Sequence, residues 1–135
     1  MEQIKVNWVG KHNDEISIDL LVNNLVAGSV NLELVTKNKV YRDTIGNKPY
    51  VYLNQIWVDP SHRRQGIGNK LMSNLDSICK KYFSTINDII LIIFPFDNCP
   101  NYDDPNNVNV EILQEFYENH GFQLLRGITM HKSIQ

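Results

Sequence analysis

Six consecutive apolar residues, Ile89-Ile90-Leu91-Ile92-Ile93-Phe94, close on Pro95 and constrain the fold more than any other feature of this chain. The run is far shorter than the roughly 20 apolar residues of a membrane span. It is also too uniformly apolar for a strand with one wet face. It predicts a central strand covered on both sides, and the other segments must then supply a sheet around it and helices against it.

The flanking patterns supply both. Ile4, Val6 and Trp8 alternate with Lys5 and Asn7, and after the polar turn Lys11-His12-Asn13-Asp14 the alternation resumes at Ile16, Ile18 and Leu20. Two antiparallel strands follow from that pattern. Asn23-Asn24 predicts a tight turn, because Asn tolerates positive φ, into a third strand with Val26, Gly28, Val30, Leu32 and Leu34 inward and Ser29, Asn31 and Glu33 outward. Residues 36–49 read as a loop, the most mobile stretch of the first half. Tyr50 to Val58 is a fourth strand, stopped by Asp59-Pro60. Ile67, Leu71, Leu75, Ile78 and Tyr82 recur at spacings of three and four, which predicts one helix beginning near Gly66. A polar, proline-punctuated segment from Phe96 to Asn109 carries Asp97, Asp103 and Asp104. Val110, Leu113 and Tyr117, with Ile112 and Phe116 beside them, then mark a second amphipathic helix, closed by Gly121 as a C-cap. The tail, Phe122 to Ile134, fits two short strands broken at Arg126-Gly127. The expectation is an α/β, or mixed α+β, single domain over residues 1–135, built as a mixed sheet with helices packed on it.

Composition bears on function mainly by exclusion. A formal net charge of −2 and a pI near 6.0 give no general attraction for polyanions, so no nucleic-acid partner is expected. The start of the chain lacks a signal-peptide pattern and no apolar run reaches membrane length, so a cytoplasmic protein with no membrane partner is expected. Cys79 and Cys99 read as free thiols.

The chemistry concentrates in Val58-Asp59-Pro60-Ser61-His62-Arg63-Arg64-Gln65-Gly66-Ile67-Gly68-Asn69, which runs strand, loop with two arginines, two glycines, helix. A helix N-terminus leaves backbone amides unpaired and carries about half a positive charge, which suits an anion. Gly66 and Gly68 would let a phosphate approach those amides, and Arg63 and Arg64 add guanidinium charge. A P-loop is excluded because Gly66-Ile67-Gly68-Asn69-Lys70 lacks its spacing. A dinucleotide fingerprint is excluded by Leu71 where a third small residue belongs.

This segment resembles the acetyl-coenzyme A signature of the GNAT superfamily, Gln/Arg-x-x-Gly-x-Gly/Ala, met by Arg63, Gly66 and Gly68. Downstream, Glu115-Phe116-Tyr117-Glu118-Asn119-His120-Gly121-Phe122 resembles the family's Phe-Tyr-x-x-x-Gly-Phe, and Met130-His131-Lys132 resembles its closing strand. The resemblance spans about residues 50 to 133, and compact viral acetyltransferases, including an anti-CRISPR one, look similar. It implies a GNAT-type domain with a central, mostly antiparallel sheet of six to seven strands. It implies acetyl-CoA as cosubstrate and a primary amine as acceptor, in a monomer or homodimer with no metal. Carried over, backbone groups of Ile56, Trp57 and Val58 would hold the pantetheine arm, and Arg63, Arg64, Gln65, Gly66, Ile67, Gly68 and Asn69 would wrap the pyrophosphate. Tyr117 would protonate the departing thiolate, although a tyrosine on an inner helix face also reads as plain core.

The chain departs from the family in two places. Asn54-Gln55 stands where many members carry a carboxylate base, and only about one in 2,500 molecules of an amine with a pKa near 10.4 is neutral at pH 7, a deficit of roughly 4.6 kcal/mol. A water chain, Asp97 or Glu111, or desolvation of the amine would have to offset it. The N-terminal helices that roof the acceptor site in many members are reduced or absent, since only Gly10 to Glu15 separates the first two strands. The loop 36–49 and the segment Asp97 to Asn109 would then shape the acceptor side. Asn54, Gln55 and Asp97 are expected to line it, and the acidic Asp97, Asp103 and Asp104 beside the site predict a cationic acceptor. A coenzyme-binding module that has lost its chemistry is the alternative.

Overall fold

The structure, a computed structural model, describes residues 1–62, 65–93 and 110–134. Its described strands form one seven-stranded sheet in the order β1-β2-β3-β4-β5-β7-β6. These are β1 (Glu2–Trp8), β2 (Glu15–Val22), β3 (Leu25–Val35), β4 (Tyr50–Val58), β5 (Asp88–Ile92), β6 (Gln123–Arg126) and β7 (Thr129–Ser133). The described helices are α1 (Arg42–Ile45), α2 (Ile67–Ser73), α3 (Leu75–Tyr82) and α4 (Val110–Glu118). Every pairing is antiparallel except β4 with β5.

β1, β2 and β3 form a meander because their connections are too short for anything else. No helix intervenes between β1 and β2, and Asn23 and Asn24 make the next turn with φ of 53° and 68°. Positive φ at both central residues matches the right-handed twist of the flanking strands, and Asn adopts it at low cost. Alternation then sorts the side chains. Ile16, Ile18, Leu20, Val30, Leu32, Val51, Leu53, Ile89, Leu91 and Met130 join the main core with Ile67, Leu71 and Leu75 of α2 and α3 and Leu113 and Tyr117 of α4. Those three helices therefore cover one face of the sheet. The apolar run of β5 is covered on its other face as well, where Ile90 is fully buried beside Tyr41 and Tyr50.

Four local expectations are corrected. In β3, Leu20 pairs with Gly28 but Leu21 with Val26, so Ala27 is the extra residue of a β-bulge. Beyond a bulge the facing of side chains shifts, and it is Ala27, not Val26, that is buried. The predicted single helix is two, α2 and α3, meeting at Asn74. There the Asn74 side chain donates to the Lys70 carbonyl at 2.8 Å and Ser73 Oγ to the Asn69 carbonyl at 2.7 Å. Such back-bonding competes with the helical ladder and bends it. The loop 36–49 contains the turn α1 and is pinned to the sheet. Asn38, almost fully buried, donates to the Gly46 carbonyl and accepts from the Tyr41 amide, and the Tyr41 ring stacks edge-on against Tyr50. Finally, β5 ends at Ile92, and the Ile93 amide turns to the Ile128 carbonyl.

Gly28 fixes how closely α2 approaches the sheet. A Cβ there would lie 2.6 Å from Ile67 Cγ2 and 3.0 Å from the Trp57 carbonyl oxygen, so only glycine lets the first turn of α2 settle over the β3–β4 ladder.

Candidate active site

The site begins where two parallel strands separate. Val51 pairs with Ile89, Tyr52 with Ile90 and Leu53 with Leu91, and the described β4–β5 ladder ends there. β4 runs on to Val58 against β3. On that side Leu32 pairs with Leu53 and Asn31 with Gln55, so Asn54 is the extra residue of a second bulge. A bulge bends its strand and increases its twist, and this one sits at the first residue beyond the β5 ladder. Among the described residues, the side of β4 away from β3 is not continued by β5 over Asn54–Val58, a geometry in which an extended ligand can lie along the strand as an added partner. Ile56 is buried in the main core, while Trp57 and Val58 are half-buried.

β4 feeds a turn organised by Asp59. Its carboxylate accepts hydrogen bonds from the Ser61 amide and hydroxyl and lies 3.1 Å from His62 Nδ1; those bonds, Ser61's first, hold it below the usual carboxylate range. Arg63 and Arg64 lie outside the described residues. The chain resumes at the exposed Gln65 and at Gly66, which caps α2 with φ of 76° and has open space where a Cβ would stand. The first helical bond there runs from the Lys70 amide to the Gly66 carbonyl. The amides of Ile67, Gly68 and Asn69 therefore belong to the unsatisfied first turn. The Ile67 side chain is buried in the core, leaving its backbone to face a ligand.

Gly68 has a second reason to be glycine. A Cβ would meet Phe116 Cζ of α4 at 3.3 Å, so the missing side chain lets α4 pack on the opening of α2. One residue on, Asn69 Oδ1 is 2.9 Å from His120 Nε2, which must carry the proton and donate. Phe116 and His120, four residues apart and therefore on one face of the α4 end, stack edge-on at 5.1 Å. The two sequence signatures are thus one structural unit. Burial first and the nearby Lys132 charge second lower the His120 pKa, with Asp76 opposing.

Tyr117 follows Phe116 into the core. It is 1% exposed, and its ring packs edge-on between Phe116 and Phe122. Asn54 and Gln55 are both exposed, and Asn54 Nδ2 donates to Asn31 Oδ1 at 3.1 Å. Asp97, Asp103, Asp104 and Cys99 lie outside the described residues. Glu111 is exposed on the first turn of α4. Cys79 is no nucleophile: it is fully buried, and burial pushes its thiol up to about 12. Among the described residues no cluster of ligating side chains could hold a metal, and no helix is long and apolar enough to cross a membrane.

Sequence reading did not single out Gly28, Asn31 or the Asn69–His120 clamp. A glycine inside a strand signals a close approach, which was a usable sign for Gly28. The partnership of Asn69 and His120, 51 residues apart, has no local signature.

The model of the acetyltransferase (GNAT) domain matches residues 8–124. No curated protein matches the chain in sequence. Among solved structures, the PaiA N-acetyltransferase of Thermoplasma acidophilum, in complex with coenzyme A, superposes with a TM-score of 0.59 at 17% identity over 89% of this chain. The chain spans 61% of that protein's length. Arabidopsis thaliana NAA60, in complex with acetyl-CoA, gives a TM-score of 0.67 at 13% identity, covering 90% of this chain and 77% of its own. The ribosomal-protein-S18-alanine N-acetyltransferase of Escherichia coli gives 0.61 at 18% identity, covering 93% and 72%. At these identities the likeness is one of fold. With the domain model matched over most of its length, the chain belongs to the GNAT acetyltransferase family.

Proposed function

We propose that the protein binds acetyl-CoA and transfers its acetyl group directly to a primary amine: a small amine, a polyamine, or a protein lysine or N-terminus. The observation that carries this reading is the parting of β4 from β5 at Leu53 and Leu91 beside the Gly66-capped start of α2. Along Ile56, Trp57 and Val58 the strand offers backbone groups to an extended pantetheine arm. Arg63, Arg64, Gln65 and the amides from Gly66 to Asn69 would hold the pyrophosphate, with charge-assisted bonds worth roughly 1.5 to 3 kcal/mol each. The open space at Gly66 fits such a role. Because Asn69 Oδ1 already accepts from His120, Asn69 would offer a phosphate only its Nδ2 and its amide.

The chemistry asked of the protein is modest. β4 fixes the thioester beside the amine, which supplies proximity, and strand amides polarise the carbonyl. The amine nitrogen forms the new C–N bond, the C–S bond breaks, and the amine gives up one proton while the departing sulfur gains one. Tyr117 would supply the proton to sulfur. A monomer or homodimer and a cytoplasmic setting complete the reading.

Release of free thiol from acetyl-CoA, measured with spermidine, n-butylamine and a lysine peptide, tests this directly. Calorimetry should show acetyl-CoA bound at micromolar affinity, and binding should raise Tm. A protein that neither binds acetyl-CoA nor releases thiol ends the proposal. The alternative, a coenzyme-binding module without chemistry, is favoured by Asn54-Gln55 on β4; it predicts binding without amine-dependent thiol release.

A further inference from the structure

Among the described residues the sheet has one covered face and one largely open face, and the residue at the parting of β4 and β5 belongs to the open one. Asn31 alternates outward with Ser29 and Glu33 on β3, and Glu15 with Ser17 and Asp19 on β2, away from the helix-covered core. Asn54 reaches the same face, since its side chain bonds Asn31. Three side chains on three strands form a chain: Asn54 Nδ2 donates to Asn31 Oδ1 at 3.1 Å, and Asn31 Nδ2 donates to Glu15 Oε2 at 3.1 Å.

Chemistry fixes the direction of this chain. An ionised carboxylate only accepts hydrogen bonds, so Glu15 obliges Asn31 to turn its Nδ2 inward along β2. Asn31 Oδ1 must then face Asn54, and since an oxygen cannot donate, Asn54 must present Nδ2 to it. Asn54 Oδ1 is left pointing elsewhere, and among the described residues none donates to it. One carboxylate two strands away thus sets the polarity of the exposed amide at the bulge.

We propose that this relay makes Asn54 Oδ1 the hydrogen-bond acceptor for the incoming amine, with Asn31 and Glu15 as positioning residues that keep the amide from flipping. The inference rests on the acetyl-transfer reading above. An amide oxygen is not a base at neutral pH, so Asn54 orients the amine without taking its proton. The amine must arrive neutral or lose its proton to solvent, and the rate should rise with pH toward the acceptor's own pKa. Charged groups on this face besides Glu15 are Glu33, directly opposite it; Asp19, which pairs in register with Lys5; and, on the far strands, Asp88, which lies 3.0 Å from Lys48 and 2.7 Å from His131.

The test uses the intact protein, acetyl-CoA, and whichever of spermidine, n-butylamine or a lysine peptide it turns over fastest. Asn31→Ala and Glu15→Ala should each raise KM for the amine about three- to tenfold, the worth of one neutral hydrogen bond, with kcat changed less and acetyl-CoA affinity unchanged. Asn31→Asp cannot donate to Glu15 and should behave like Asn31→Ala, whereas Glu15→Asp should retain part of the effect of the native residue. Asn54→Asp places a carboxylate at the family's usual position and should move the rising limb of the rate–pH profile to lower pH. Unchanged amine KM in both Asn31→Ala and Glu15→Ala, with the fold intact by circular dichroism, overturns the relay. So does an Asn54→Asp profile superimposable on the native one. If acetyl-CoA itself fails to bind, the transfer reading has failed; if it binds while only the relay variants behave as native, the relay alone has failed.

Discussion

The two faces of the sheet are made by the same strands and do different work. On the face under α2, α3 and α4, alternate residues such as Ile18, Val30 and Leu91 are fully buried and close the core. On the opposite face the intervening residues of β2 and β3 are polar, and Ser17, Ser29 and Asp19 bond one another at 2.8 to 3.2 Å. Among the described residues, α1 and its loop cover that face near β4 and β5, through Tyr41 and Ile45. Buried apolar packing is concentrated on one side, and the proposed acceptor contact, Asn54, lies on the other. The proposed cosubstrate groove lies at the boundary, where β4 leaves β5.

The sharpest way to break that division is to compare one substitution on each face. Leu71→Ala removes a fully buried side chain between α2 and the sheet and should cost about 2 to 5 kcal/mol in urea unfolding. Lys5→Ala, on the exposed edge strand opposite Asp19, should stay within about 0.5 kcal/mol of the native protein. Similar losses at both positions would mean that the open face is not energetically separate. At the boundary, Gly66→Val forces a β-branched residue into a φ of 76°. The strain is about 1 to 2 kcal/mol, but acetyl-CoA binding measured by calorimetry should fall by far more, because the Gly66-to-Asn69 amides lose their arrangement. Retained native affinity would remove this turn from the binding site.

How much of this was legible beforehand depended on whether the signal was local. Alternation at Ile16, Ile18 and Leu20, the Asn23-Asn24 turn, the Pro60 stop and the apolar run of β5 each describe a residue and its immediate neighbours, and each is found. Bulges are not local in that sense. Whether Ala27 or Val26 faces the core, and whether Asn54 is an extra residue, depend on the register of the partner strand. The break at Asn74 depended on side chains turning back to carbonyls inside an otherwise regular apolar pattern. For the candidate site, the glycines and the Phe116-Tyr117 pair were visible, but Gly68 was read only as room for a phosphate. Its contact with Phe116 shows a packing role that no motif states.

Tyr117 tests the boundary from the covered side. Its ring is part of the core, so Tyr117→Phe should fold normally and bind acetyl-CoA nearly as the native protein does. If the hydroxyl protonates the departing thiolate, turnover should fall about 10- to 100-fold, at the low end of general-acid effects, because a thiol with a pKa near 8.5 leaves readily. Native turnover under conditions where chemistry limits the rate would assign Tyr117 to packing alone. Equal losses of affinity and turnover would make the hydroxyl a coenzyme anchor.

The smallest expected effect concerns His120, which joins α4 to the start of α2. Its folded pKa is lowered, by burial first and by Lys132 second, below the value near 6.5 of an unfolded histidine. Below pH 6.5 the unfolded chain therefore binds more protons at this site than the folded one. The contribution of His120 is complete above that pH and is lost as pH falls through the folded pKa. Urea unfolding of the native protein and of His120→Gln, at pH 7.5 and again at pH 5, isolates the term, since the other histidines cancel in the difference. The native protein should lose more stability than the variant on going to the lower pH. A gain relative to the variant would mean that the folded protein prefers the imidazolium and that the sign is reversed. Coenzyme binding should respond less, because both the neutral Nε2–H form and the imidazolium donate to Asn69 Oδ1. A steep loss of acetyl-CoA affinity in the native protein near pH 6, absent from His120→Gln, would instead show that the charge on His120 itself reaches the α2 terminus.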